Sequence, residues 1–190
     1  MPELPEVETV ARLIRPVLTG RRIEGARVEW ERSLGGRSRR SFGAAVRGAR
    51  VRDVGRRGKF VVVGLARGNR DAGALLVHLR MSGRLHVDPT RDPARPYTRV
   101  ACRLDGGREL RFVDVRKFGR FVYARDPEDV LGELGPEPLE NGFTADWLFE
   151  GLRVRRRLLK PLLLDQTFVA GLGNIYADES LHRARLHPET

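Results

Sequence analysis

Lys59-Phe60-Val61-Val62-Val63-Gly64-Leu65 and Ala74-Leu75-Leu76-Val77-His78-Leu79 are apolar runs of strand length, far short of the ~18 residues a membrane span needs. Working outward, further short segments read as strands: Val51–Val54, Leu85–Val87, Arg99–Leu104, Glu109–Val113 and Phe121–Tyr123. Ser82-Gly83 and Asp105-Gly106-Gly107 are turn signals between them. Many short strands joined at glycine turns favour a sandwich or barrel. Upstream, Ala26, Val28 and Trp30 alternate with charged residues as in a half-buried strand, and Gly35 to Arg40 reads as a polar loop.

Leu4, Val7, Ala11, Ile14 and Leu18 recur at helical spacing, so the N-terminus reads as an amphipathic helix with Pro2 and Pro5 in its first turn, closed by Pro16 and Gly20. After Asp126 the character changes. Gly135-Pro136-Glu137-Pro138 reads as a linker, Thr144 as the N-cap of a helix carrying Trp147, Leu148 and Leu152, and Leu158–Leu164 and Asn174–Ala184 as helices about Gly171-Leu172-Gly173. The expected fold is α+β. An N-terminal helix and a two-sheet β-sandwich occupy residues 1–134, a linker residues 135–143, and an incomplete all-α module residues 144–190.

The 190 residues carry a net charge of +11, and all but three of the 36 basic residues are arginine; the lysines are Lys59, Lys117 and Lys160. Arginine preference follows genome composition as readily as function, but the net charge attracts polyanions, nucleic acid being the commonest. Charge alone does not separate DNA, RNA and acidic membranes. A lone Cys102 excludes an internal disulfide framework and a cysteine-based zinc site within these residues. With no signal-peptide pattern at the acidic N-terminus, the expected compartment is a reducing cytoplasm.

Met1-Pro2-Glu3-Leu4-Pro5-Glu6-Val7-Glu8 carries the chemistry. Removal of methionine before proline would free a secondary amine, and an α-amine with a pKa of roughly 7.7–8.0 is partly neutral and nucleophilic at physiological pH. With an aldehyde it forms an iminium, a strong electron sink. Glu3 and Glu6, one helical turn apart, are within reach of acid/base work beside it. An ordinary helix start with acidic residues at the positive end of the dipole accounts for the same pattern.

This opening, with Gly58-Lys59-Phe60, His78-Leu79-Arg80-Met81-Ser82-Gly83, Asp114-Val115-Arg116-Lys117-Phe118-Gly119, Leu134-Gly135-Pro136-Glu137-Pro138-Leu139, Lys160-Pro161 and Gly171-Leu172-Gly173-Asn174-Ile175-Tyr176-Ala177-Asp178-Glu179-Ser180, resembles the formamidopyrimidine-DNA glycosylase family in block order over almost the whole chain. Leu4 favours the purine-specific branch over the endonuclease VIII-like branch, which acts on oxidised pyrimidines. The resemblance implies a bifunctional glycosylase and abasic-site lyase for 8-oxoguanine and formamidopyrimidines in double-stranded DNA, with the damaged nucleotide flipped out of the stack. It assigns the attack on C1′ to Pro2, the acid/base role to Glu3 and positioning of the flipped nucleotide to Glu6. Lys59 and His78 become phosphate contacts near the lesion. Against this stand a solvated strand-end charge for Lys59 and a structural histidine for His78. Met81, Arg116 and Phe118 match the trio that fills the void left by flipping, core packing being the alternative for the two apolar members. Lys160 and Asn174 match phosphate-binding positions of a helix-two-turn-helix module, whose glycine turn would also offer free amides at a helix N-terminus to phosphate.

The family continues past Thr190 through further helices and a four-cysteine zinc finger, so no cofactor or metal is expected in this chain. The missing helices should leave apolar faces of Leu158–Leu164 and Asn174–Leu186 uncovered. On this reading the chain is a monomer, with weak excision of 8-oxoguanine and residual cleavage at abasic sites. From a different class, it is a DNA-binding remnant without catalysis.

Overall fold

The computed structural model describes residues 1–189. Its elements in chain order are α1 (Leu4–Leu18), β1 (Ile23–Val28), a 3-10 turn (Glu31–Leu34), α2 (Arg39–Val46), β2 (Arg50–Arg57), β3 (Phe60–Arg67), β4 (Arg70–His78), β5 (Arg84–Pro89), β6 (Thr98–Leu104), β7 (Arg108–Val113), β8 (Arg120–Ala124), α3 (Glu128–Leu131), α4 (Ala145–Arg153), α5 (Leu159–Leu164) and α6 (Asn174–Ala184). The strands form two antiparallel sheets, ordered β1-β6-β7-β5 and β2-β3-β4-β8.

Period-two alternation builds the sandwich core. Val61, Val63 and Leu65 of β3 point inward to meet Val100, Cys102 and Phe112 of the facing sheet. The opposite face of β3 is also covered, since Phe60 and Val62 pack with Leu76, Ala124, Leu131 and Leu134. Burial on both faces is why β3 and β4 read as continuous apolar runs rather than alternating ones. Helix α1 closes the sandwich with Val7, Ala11, Ile14 and Leu18.

Four local readings need correction. Pro16 lies inside α1, which runs on to Leu18; so near the C-terminus, proline forfeits one helical hydrogen bond while Ile14 and Leu18 stay anchored in the core. The first strand is Ile23–Val28, and Trp30 lies beyond it, before the 3-10 turn. The supposed loop Gly35–Arg40 ends inside α2, which Ser38 caps by accepting from Ser41 N and which buries Phe42 and Val46. Lys59 sits in the β2–β3 turn, not in the strand.

The segment 135–143 has no regular structure, yet it is packed. The Glu137 carboxylate, 3% exposed, accepts from Arg56 (2.6 Å), Arg57 (3.1 Å) and the Gly58 amide, while Arg57 donates to the carbonyls of Leu134 and Gly135. Beyond it, Thr144 caps α4 by accepting from Trp147 N, as its sequence position suggested. The helices form two small apolar clusters around Leu162 and Phe168 and around Leu163, Ala177 and Leu181. An apolar hollow of about 230 Å³ stays open between them, lined by Phe143, Leu148, Leu159, Leu163, Leu181 and Leu186 among others. Leu158, Ile175 and Leu186 are exposed, whereas Leu162, Leu163, Ala177 and Leu181 of the faces expected to be uncovered are buried.

Candidate active site

The N-terminus is bolted to the helical module through Glu3. This residue is 2% exposed, and its carboxylate accepts from three amides at the start of α6: Gly173 (2.8 Å), Ile175 (2.9 Å) and Tyr176 (3.2 Å). The positive end of the helix dipole faces the anion. A Cβ at Gly173 would overlap the Glu3 carboxyl carbon, so only glycine permits this approach. The Leu4 amide adds a bond to the Gly171 carbonyl at 3.1 Å. The sequence reading, which left these helix amides free for phosphate, is therefore corrected: Glu3 occupies three of them. Glu6 is exposed, and its carboxylate accepts from the Glu3 amide at 2.9 Å, completing the first turn of α1. A free amine at Pro2 requires removal of Met1, whose carbonyl otherwise acylates that nitrogen.

Lys59 and His78 stand nearby, both buried. Burial pushes the Lys59 ammonium below its ordinary pKa; the Glu3 carboxylate pulls it back and Arg80 adds to the depression. His78 is driven down to about 4, first by burial and then by Arg80 and Lys59. It is therefore neutral at pH 7. Its Nδ1 accepts from the Arg80 amide at 3.1 Å, which places the proton on Nε2 and makes that edge a donor. The Phe60 ring meets the imidazole edge-on at 4.8 Å.

Two turns complete the site. Met81, on the β4–β5 turn, is 46% exposed, and Phe118, on the β7–β8 turn, is 52% exposed. Core packing is excluded for both. The Arg116 guanidinium lies 4.9 Å from the Phe118 ring centroid. These three side chains line a cavity of about 650 Å³ together with Met1, Trp30, Arg32, Arg80, Lys117 and Arg120. Its five charged residues are all cationic. Trp30, Arg32, Lys117 and Arg120 were not singled out from sequence. Lys117 lies in the Asp114–Gly119 block, Arg32 and Arg120 had no signal beyond the general abundance of arginine, and Trp30 read only as part of a strand; the sheet connections bring the four together.

Lys160 and Asn174 lie apart from this cavity, on α5 and at the start of α6. The Lys160 ammonium is paired with the Asp178 carboxylate at 2.7 Å, and Asn174 is exposed. The four-cysteine zinc that the resemblance implies finds no donor set in these residues. Cys102 is the only cysteine of the sequence, buried in the sandwich with its thiol pushed up to about 12, and no group of three or more metal-ligating side chains occurs among the described residues.

A β-sandwich and a helical module joined at a buried carboxylate, beside a concave cavity whose only charges are positive and whose rim carries apolar side chains, define a protein shaped to hold a polyanion. The comparisons narrow this class. The model of the formamidopyrimidine-DNA glycosylase N-terminal domain matches residues 1–121, and that of the same enzyme's H2TH domain matches residues 134–190. Curated formamidopyrimidine-DNA glycosylases from Pelotomaculum thermopropionicum and Protochlamydia amoebophila are 46% and 42% identical over 195 and 189 residues, covering 100% and 99% of this chain and 68% and 67% of theirs. The crystal structure of Lactococcus lactis Fpg (MutM) with DNA containing N7-benzyl-Fapy-dG superposes with a TM-score of 0.89 at 32% identity, over 100% of this chain and 70% of that one. A complex of the Lactococcus lactis protein with abasic-site DNA gives 0.87 at 32% identity, over 99% and 69%. The chain belongs to the formamidopyrimidine-DNA glycosylase family.

Proposed function

We propose that the chain works in base-excision repair, as a glycosylase for oxidised purines in double-stranded DNA and a lyase at the resulting abasic site. The observation that carries this reading is the meeting of the chain's N-terminal end with an all-cationic cavity rimmed by Met81, Arg116 and Phe118. In this reading residues 1–134 are the catalytic domain, 135–143 the linker and 144–190 the DNA-binding module. The protein acts as a monomer on bacterial DNA in the cytoplasm.

Once Met1 is removed, the Pro2 amine attacks C1′ of the flipped nucleotide, the bond from C1′ to the base breaks, and the base leaves with a proton. Glu3 is the acid/base group that supplies the proton for sugar-ring opening, a role supported by its being held by three amides next to Pro2 in the chain. Glu6 positions the flipped nucleotide. The resulting iminium acidifies C2′, and two successive eliminations release the phosphates on either side of the sugar. Lys59 offers an ammonium, and neutral His78 its Nε2–H, to the phosphates flanking the lesion. Met81 and Phe118 fill the vacated stack while Arg116 hydrogen-bonds the orphaned base. Lys160 and Asn174 hold phosphate on the helical side, Lys160 by exchanging Asp178 for DNA.

Borohydride trapping on abasic DNA with peptide mapping tests the nucleophile, with intact mass reporting removal of Met1. The adduct is expected on Pro2 and should vanish when the N-terminus is extended; an adduct on Lys59 would overturn the assignment. Faster cleavage at thymine glycol than at 8-oxoguanine would move the chain to the pyrimidine branch.

A further inference from the structure

The two turns that carry Met81 and Phe118 share one buried anion. Asp114 is 1% exposed and opens the β7–β8 turn. Its Oδ2 accepts from the Gly119 amide at 2.7 Å, closing its own turn. Its Oδ1 accepts from the Arg116 amide at 3.2 Å and from the Ser82 hydroxyl at 2.5 Å, and Ser82 belongs to the other turn, next to Met81. The Ser82 oxygen in turn accepts from the Arg116 amide at 3.1 Å. The four groups form a hydrogen-bonded joint across the gap between the turns.

The surroundings allow little slack. A Cβ at Gly119 would overlap the Phe112 ring of β7, so that turn presses against the sandwich at glycine, and one at Gly83 would overlap the Leu79 carbonyl, so the other turn closes tightly on its own backbone. Arg80 and Lys117, flanking the exposed side chains, hold left-handed backbone (φ 53° and 61°) that non-glycine residues keep only where neighbours enforce it. Among the described residues no cation salt-bridges the Asp114 carboxylate. Arg99 reaches only the backbone carbonyls of Asp114 and Val115 (2.7 and 3.3 Å). A buried carboxylate held by neutral donors alone is costly to desolvate, and an apolar replacement would leave the Gly119 amide and the Ser82 hydroxyl without their acceptor. What it supplies is geometry: one centre to which both turns answer.

We propose that Asp114 is a positioning residue and Ser82 the joint through which it couples the turns, so that Met81, Arg116 and Phe118 enter the duplex as one rigid unit. The proposal rests on the wedge reading of those three side chains. Without the joint each turn must be ordered separately when the base is flipped, and that ordering is lost from insertion rather than from duplex binding.

The test uses the 190-residue chain on duplexes carrying a tetrahydrofuran abasic analogue opposite 2-aminopurine, whose fluorescence rises on unstacking, with an undamaged duplex as the binding control. Ser82→Ala should lower the inserted fraction about tenfold, as expected for one charge-assisted hydrogen bond, with undamaged-duplex affinity unchanged. Ser82→Thr, which keeps the hydroxyl, should restore the signal. Combined with Phe118→Ala, Ser82→Ala should add almost nothing, because the unit it supports is already broken. Asp114→Asn should act like Ser82→Ala; if it fails to fold, the serine series decides alone. A folded Ser82→Ala chain with normal fluorescence, while Met81→Ala and Phe118→Ala lose it, would overturn the proposal. If Met81→Ala and Phe118→Ala both left the signal intact, the wedge reading itself would fall, and the joint with it.

Discussion

Replacing Glu137 with alanine removes the carboxylate that fastens the helical module to the β2–β3 turn. Arg56 and Glu137, with side chains 9% and 3% exposed, are paired at 2.6 Å, well inside the regime where removing one partner strands a charge. Breaking such a pair costs about 3–5 kcal/mol. The lower end applies here, because Arg56 keeps Glu8 at 3.2 Å and Arg57 keeps two carbonyls, leaving the Gly58 amide as the group fully orphaned. A loss of about 3 kcal/mol in a chain of this size lowers Tm by roughly 6–12 °C at about 2–4 °C per kcal/mol. Calorimetric melts of the parent, Glu137→Ala and Glu137→Gln would measure it, the amide keeping an acceptor and losing roughly half as much. Since the pair is buried, the difference should persist at about 0.5 M salt, where exposed pairs are screened. A Glu137→Ala chain melting within about 2 °C of the parent would refute the reasoning, as would a difference that salt abolishes.

His78 predicts a pH dependence of stability. Its folded pKa, about 4, lies below the unfolded value of 6.5, so stability is complete above pH 6.5 and is lost as pH falls through 4. At about 1.4 kcal/mol per pKa unit the loss is on the order of 3 kcal/mol, and Tm against pH for His78→Gln should lack that fall; parallel profiles would contradict the burial argument. Glu3→Gln keeps one acceptor for the α6 amides but no carboxylate for proton transfer. Excision in single-turnover assays should drop by at least ~100-fold with duplex affinity nearly unchanged, and equal losses of both would make Glu3 structural. Affinity for abasic DNA should fall steeply with salt, since contacts from an all-cationic cavity release counterions; a flat log–log plot between low and moderate salt would deny these residues the phosphates.

The β-sandwich was legible because local chemistry writes it. Strand runs bounded by glycine turns locate β2–β8, and the 3.6-residue spacing of Leu4, Val7, Ala11, Ile14 and Leu18 locates α1. Asn174–Ala184 was readable as a helix for the same reason, and the family motifs named Pro2, Glu3, Lys59 and the Met81, Arg116 and Phe118 set. Helix α2 escaped because Arg39 and Arg40 on its exposed face and only two buried apolar residues give too short a periodicity to see. The partnerships escaped for a different reason. Glu3 with the α6 amides spans 170 residues of sequence, Glu137 with Gly58 spans 79, and Asp114 with Ser82 spans 32. No spacing rule reaches that far. Sequence determined which elements form and which side chains can do chemistry, because both depend on neighbours along the chain. The tertiary structure alone decided which carboxylates are buried and what they hold, because a hydrogen bond is set by distance in space, and the sheet pairing and helix docking fix that distance.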